Sequence, residues 1–176
     1  GNAYSNITND QNIKLVFIPF LLNYYPMEKI FRSLSNHQEI DLLPYLIKKM
    51  EEPWDLYIGT DSQHIGDYTY YATVIVLHNS SKGGHILYCK EIVDRVSDTF
   101  TRLWKEVENS MEVALYLRSQ HFDAISSIDL DFNPDPKYQS NSLLRAALGY
   151  VEAMGFKARI KPYAAAASCC ADYILQ

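Results

Sequence analysis

The stretch Leu56-Tyr57-Ile58-Gly59-Thr60-Asp61-Ser62-Gln63 runs three apolar residues into a glycine and then sets a carboxylate among small hydroxyl residues. An apolar run bounded by turn residues suits a strand buried on both faces. Asp61 then emerges at or near the carboxyl end of that strand, the end that opens into the ligand crevice of an open α/β sheet. A carboxylate leaving a buried strand is costly unless it is paired, hydrogen-bonded or bound to a metal. Asp and Ser are also ordinary turn residues. On its own the stretch fits a turn as well as a site.

The residues after it spell out a sheet. The loop His64-Ile65-Gly66-Asp67 turns the chain, residues 68–78 are rich in Tyr, Thr and Val, and residues 85–93 follow a Ser/Lys/Gly turn cluster. Three strands joined by short turns make an antiparallel meander. His64 lies near enough to Asp61 in sequence to be an acid/base candidate, against the commoner reading of a solvated loop histidine. Residues 99–119 carry Leu103, Val107, Met111, Ala114 and Leu115 at helical spacing. Glu106 and Glu108 flank that stripe on opposite sides, and Glu112 points further into solvent. Residues 125–133 alternate, with Ile128, Leu130 and Phe132 on one face and Asp129, Asp131 and Asn133 on the other. A strand reached through a helix crossover runs parallel to an earlier one and is normally covered on both faces. Acids there are a second anomaly of the same kind as Asp61. A helix beginning at Ser140 or Asn141 and stopping at Gly155, a short strand over 156–162 and an alanine-rich helix over 164–174 complete the pattern.

Residues 1–26 read differently. They are punctuated by asparagine, and the apolar patch 13–25 contains Lys14 and Pro19. It is too short to span a bilayer and lacks the flanks of a signal peptide. The expectation is that the natural protein begins at Met27 and that Gly1 is a cloning remnant. The alternative is a genuine arm that covers a sheet edge or joins a second subunit as a dimer. Between Ile30 and Met50 the spacing predicts one or two short helices, with Leu43, Leu46, Ile47 and Met50 on one face.

Composition narrows the class. A chain of 176 residues fits one domain over 27–176, and the formal charge of −5 argues against a general electrostatic grip on nucleic acid. Lys157, Arg159 and Lys161 still form a local basic face, suited to a phosphate backbone or to protecting a sheet edge. The cysteines Cys89, Cys169 and Cys170 offer neither a CxxC pair nor an even framework. Free thiols in a reducing cytoplasm are expected.

The motifs GTDSQ at 59–63, EVENS at 106–110, DFNPDPKYQS at 131–140, GFKARIKP at 155–162 and AAAASCCADY at 164–173 occur in order. Together they resemble the YkuK-type family of RNase H-like proteins, over about residues 57–173. The resemblance implies an α/β, RNase H-like fold: a mixed five-stranded sheet, three antiparallel strands then parallel strands, with helices on both faces. It implies a nuclease in which four carboxylates hold two divalent cations, Mg²⁺ or Mn²⁺. Carried over residue by residue, these are Asp61, Glu108, Asp131 and Asp172, with Glu106 the alternative on the helix and Asp129 a neighbour able to assist. Two cations roughly 3.5–4 Å apart activate a water and stabilise the leaving oxygen of a phosphodiester. Two departures stand out: Tyr163 follows Pro162 where the family commonly has an acid, and Asp172 lies near the chain end. The other reading is a catalytically weak module that binds nucleic acid through Lys157, Arg159 and Lys161, or binds a protein partner.

Overall fold

The computed structural model describes residues 27–133, Asp135, Lys137, residues 140–164, Cys170, Ala171 and residues 173–175. The N-terminal arm, Cys169 and Asp172 lie outside the described residues, and the expectations placed on them with it. In chain order the elements are β1 (Phe31–Ser33), β2 (Glu39–Ile40), α1 (Leu42–Lys49), β3 (Asp55–Ile65) and β4 (Tyr68–Asn79). β5 (Gly83–Asp94), α2 (Thr99–Ser119), β6 (Ser127–Leu130), α3 (Ser140–Ala153) and β7 (Ala158–Ile160) follow. All seven strands belong to one mixed sheet in the order β2-β1-β5-β4-β3-β6-β7.

The meander forms as its residues dictate. Only Gly66 and Asp67 separate β3 from β4, and Gly66 takes φ +59°, which a two-residue hairpin turn requires. At the next turn Asn79 Oδ1 accepts from the backbone N–H groups of Ser81 (2.9 Å) and Lys82 (3.2 Å). Its side-chain amide donates to the Pro53 carbonyl at 2.8 Å, tying the turn to the chain entering β3. β3 pairs antiparallel with β4 and parallel with β6, and β6 pairs parallel with β7.

Two expectations need correction. The sheet has seven strands rather than five, because residues 31–40 are not helical. Phe31 is buried at 1% exposure, and Arg32 and Ser33 pair with Tyr88 and Leu87 of β5. A bend at His37, with φ +58°, then returns the chain as β2. Cross-strand pairing on β5 overrides the helical spacing read from this segment. The helix that does form, α1, buries Leu42 and Leu46 and leaves Ile47 exposed, so its inner face is rotated from the one expected. The second correction is to the fourth expected strand, which is shorter: β6 ends at Leu130, and Asp131 lies just beyond it.

The sheet is packed on both faces. One core joins Leu56, Ile58, Ile75, Leu77 and Ile128 of the strands to Leu46 of α1, Val107, Met111 and Leu117 of α2, and Ala147 and Val151 of α3. On the other face Ala72, Val74 and Val76 of β4 meet Ala171, Ile174 and Leu175 near the chain end. α2 is capped by the Asp98 carboxylate, which accepts from the Thr101 N–H at 2.7 Å. No helix among the described residues is long and apolar enough to cross a membrane.

If β1 is an integral part of the sheet, Phe31→Ala should lower stability by about 3 kcal/mol, the usual cost of truncating a buried phenylalanine. Urea unfolding followed by circular dichroism checks this; an unchanged midpoint would place Phe31 outside the core.

Candidate active site

Strand register puts two of the acids on neighbouring strands. Gly59 of β3 lies opposite Asp129 of β6 in the parallel pair, so Asp61 and Asp131, each two residues further on, leave neighbouring strand positions in the same direction. Asp61 Oδ1 accepts from the Ser62 N–H at 2.8 Å. The alternate residues of β3 turn toward α2. The Thr60 hydroxyl lies 3.0 Å from that of Thr73 and 2.8 Å from that of Ser110, and Ser110 in turn donates to the Glu106 carbonyl at 3.1 Å. These contacts fix how α2 is rotated and how far it sits along β3.

That rotation decides between the two glutamates. Glu106 is buried at 4% exposure and accepts from the Ser62 hydroxyl at 2.5 Å. Glu108, the first choice from the family pattern, is exposed and lines a separate cavity beside α2. The alternative, Glu106, is the glutamate whose carboxylate reaches β3, at Ser62, because positions 106, 109, 110 and 113 belong to the buried face of α2. Burial pushes the Glu106 carboxyl well above its usual range; the nearby charges of Asp61 and Asp131 push it further, against the Ser62 hydrogen bond and Arg102. Arg102 stands one turn earlier, 3.7 Å from Glu106, and donates to the Ser62 hydroxyl at 2.7 Å.

The remaining charges are committed. Asp129 is buried, with both carboxylate oxygens bonded to Arg159 at 2.9 and 2.8 Å and a further bond from the Ser127 hydroxyl. The Arg159 guanidinium also stacks 3.9 Å above the Tyr57 ring. In this arrangement Asp129, the neighbour expected to assist, is committed to Arg159 and Ser127. Lys161 Nζ pairs with Asp131 at 2.5 Å. Of the basic face expected on β7, two members thus neutralise acids of the same sheet, and Lys157 is exposed. His64 is spoken for as well, its Nε2 lying 3.1 Å from the Val96 carbonyl.

The donor chemistry suits a hard divalent cation. Asp61, Glu106 and Asp131 offer only carboxylate oxygens, and burial first, then the charges of Asp61 and Asp131, disfavours the charged form of Glu106. As arranged among the described residues, no three His, Cys, Asp or Glu side chains converge as a metal-holding group. Lys161 and Arg102 supply positive charge there instead.

Three contributors escape a reading of the sequence alone: Ser62, Arg102 and Tyr71. Tyr71 lies opposite Ser62 in the β3–β4 ladder and is buried at 1% exposure, yet its hydroxyl has no hydrogen-bond partner among the described residues. Its phenol is pushed up to about 12 by burial and by the Glu106 charge. The signal for it exists in the two-residue turn at Gly66-Asp67, which fixes residue 71 opposite residue 62.

A single mixed sheet with helices on both faces, carrying acids where β3 and β6 run side by side, defines a ribonuclease H-like protein. The chain belongs to the family described as Ribonuclease H-like, which matches residues 39–176. It is also similar to the uncharacterized protein YkuK of Bacillus subtilis (strain 168), at 27% identity over 135 residues, covering 69% of this chain and 78% of that protein. No solved structure matches at the same stringency.

Two outcomes follow from the electrostatics. The folded Glu106 pKa lies above the 4.5 of a free glutamate, so between the two values the folded state holds more protons than the unfolded. Stability present below about pH 4.5 is therefore lost as pH rises through the raised value. Glu106→Gln removes that loss, and its melting temperature relative to the wild type should rise steadily with pH above 4.5 in metal-free buffer. A constant difference from acid to neutral pH would show that Glu106 is not held toward its neutral form. Separately, Arg159→Ala leaves Asp129 buried without its partner and should cost about 3 kcal/mol in chemical denaturation. A neutral result would mean that Arg159 is free to serve a ligand.

Proposed function

We propose that this protein is a divalent-metal-dependent nuclease, with Asp61, Glu106 and Asp131 as the metal-holding carboxylates. The observation that carries the proposal is a glutamate on α2 that is buried and raised by burial and by the charges of Asp61 and Asp131, two acids that leave neighbouring strand positions. Family membership supports the same chemistry. The family pattern makes Asp172 the fourth carboxylate. When bound there, Mg²⁺ or Mn²⁺ would supply water activation and stabilisation of the leaving oxygen.

The chain's own residues prepare the site. Ser62 holds the Glu106 carboxylate in one orientation through its hydroxyl, and Arg102 holds Ser62. The Thr60–Ser110 contact keeps α2 at a fixed height over β3, so that Glu106 stays at Ser62. Lys161 and Arg102 balance part of the negative charge in the absence of metal. Those same ion pairs favour the second reading, a module whose acids are neutralised internally and bind no metal.

Thermal melting separates the two readings before any assay. Mg²⁺ or Mn²⁺ at a hundredfold excess over its dissociation constant should stabilise the wild type by about 2.7 kcal/mol and leave Asp61→Asn little changed. With labelled single-stranded, duplex and hybrid RNA and DNA, cleavage should need the metal and fall at least about a hundredfold in Asp61→Asn and in Glu106→Gln. Cleavage that survives Asp61→Asn would assign the activity elsewhere, and an absence of any metal-induced shift would favour the binding module.

A further inference from the structure

The sheet carries a free edge beside one of its inner strands. β1 lies next to β5 in the strand order, but the paired residues are Arg32 with Tyr88 and Ser33 with Leu87. No backbone hydrogen bond joins residues 27–30 to β5. Lys29 is held by α2 instead, its Nζ pairing with Glu112 at 2.7 Å. A cavity of about 620 Å³, lined by Glu28, Ile30, Lys90, Glu91 and Glu112 among others, opens beside this part of β5. From Lys90 to Asp94, β5 therefore has a strand partner on the β4 side alone among the described residues.

Strand parity shows which backbone groups are left over. The Leu34 N–H donates to the Ile86 carbonyl at 2.9 Å, so the even-numbered residues of β5 direct N–H and C=O away from β4. Tyr88 is taken up by β1. Lys90, Ile92 and Asp94 find no backbone partner on that side among the described residues. The side chains of the same three residues share one face. Ile92 is 56% exposed, and Lys90 and Asp94 are exposed and form no ion pair with a described residue. An unpaired edge with an exposed isoleucine is a template for another strand.

That edge is complementary to itself. When two β5 strands pair antiparallel about a two-fold axis at Ile92, Ile92 meets its own copy and Lys90 of each chain meets Asp94 of the other. Opposite charges then lie directly across the strands at both ends of the pair. Moving the axis to Lys90 or to Asp94 sets like charges face to face. Moving it by a single residue leaves either Asp94 opposite Tyr88, which β1 occupies, or Lys90 opposite Val96, whose N–H already donates to Thr69 at 2.9 Å. Tyr70 stands opposite Ile92 on β4, so the axis also lines up an apolar row of Tyr70, Ile92 and their copies across the joint. We propose that a second copy of this chain occupies the edge, joining the two sheets through Lys90–Asp94 of β5. Such an isologous pair closes on itself and leaves no further β5 edge to grow from. Nothing in it depends on the carboxylate site.

Sedimentation equilibrium of the full chain, which yields both mass and dissociation constant, tests the proposal. The wild type should be a dimer. Lys90→Asp and Asp94→Lys each turn both cross-strand pairs into like charges, and each should weaken the dimer at least about tenfold. Mixed in equal amounts, the two variants set two acids of one chain against two lysines of the other. They should then form a one-to-one heterodimer close to the wild type in affinity. Ile92→Lys, which puts two lysines on the axis, should also weaken the dimer and stands in if either charge variant fails to fold. All three positions are exposed, so circular dichroism should show wild-type secondary structure.

A monomeric wild type would overturn the proposal, the result expected if residues 1–26 or a different protein cover the edge. So would a dimer whose affinity is unchanged in Lys90→Asp, Asp94→Lys and Ile92→Lys, which would place the interface elsewhere. Charge variants that weaken the dimer yet do not associate when mixed would rule out the register about Ile92.

Discussion

The register of β3 is the constraint on which the site depends. That strand is held on one side by the antiparallel β4, through a turn of only two residues, and on the other by the parallel β6. Side chains alternate along a strand, so a slip of one residue would send Asp61 to the opposite face and bring its neighbour Ser62 into its place. The turn at Gly66 prevents such a slip on one side, and the Gly59–Asp129 pairing prevents it on the other. Thr60 then extends the constraint beyond the sheet. Its hydroxyl touches both Thr73 on β4 and Ser110 on α2, so one buried cluster sets the strand pairing and the helix position together.

From that frame the charges take two different forms. Asp129 is buried, but its geometry is complete: a bidentate guanidinium, a hydroxyl donor and an aromatic ring beneath the guanidinium. Buried charge of this kind is satisfied and has no need of a ligand. Glu106 is the opposite case. It has one hydroxyl donor and an arginine at 3.7 Å, set against two acids and almost complete burial. Two acids of similar burial, one on β6 and one on α2, thus differ in kind. The one with complete partners holds β6 to β7, and the one with incomplete partners lies where ligand chemistry belongs.

Much of this was legible in the sequence, and the failures have physical causes. The meander, the bounds of α2 and the alternation of Ile128, Leu130 and Phe132 against Asp129 and Asp131 follow from period and turn chemistry, which act locally. The β1–β2 pair did not show, because three- and two-residue strands have no measurable period of their own and exist only through pairing on β5. The choice between Glu106 and Glu108 did not show either. Both flank the apolar stripe of α2, and only the Thr60–Ser110 contact says which way the helix is rolled. The roles of Arg159 and Lys161 were hidden for a related reason. Alternation put them on one face with Lys157, but the acids they neutralise come from β6 and its end, through a parallel pairing that no local pattern announces.

Glu106 and Tyr71 are both buried polar groups with few partners: Glu106 has one hydroxyl donor and an arginine at 3.7 Å, and the Tyr71 hydroxyl has none among the described residues. A protein this size has few such groups, and these two approach each other from α2 and β4, around Ser62. Nothing in the packing requires either. A glutamine would fill the space of Glu106 without the charge, and a phenylalanine that of Tyr71 without the hydroxyl. Sequences keep such local conflicts where a ligand resolves them. At Glu106 the conflict comes first from burial and then from the charges of Asp61 and Asp131, which is why the proposed cation belongs beside that carboxyl rather than beside Asp129.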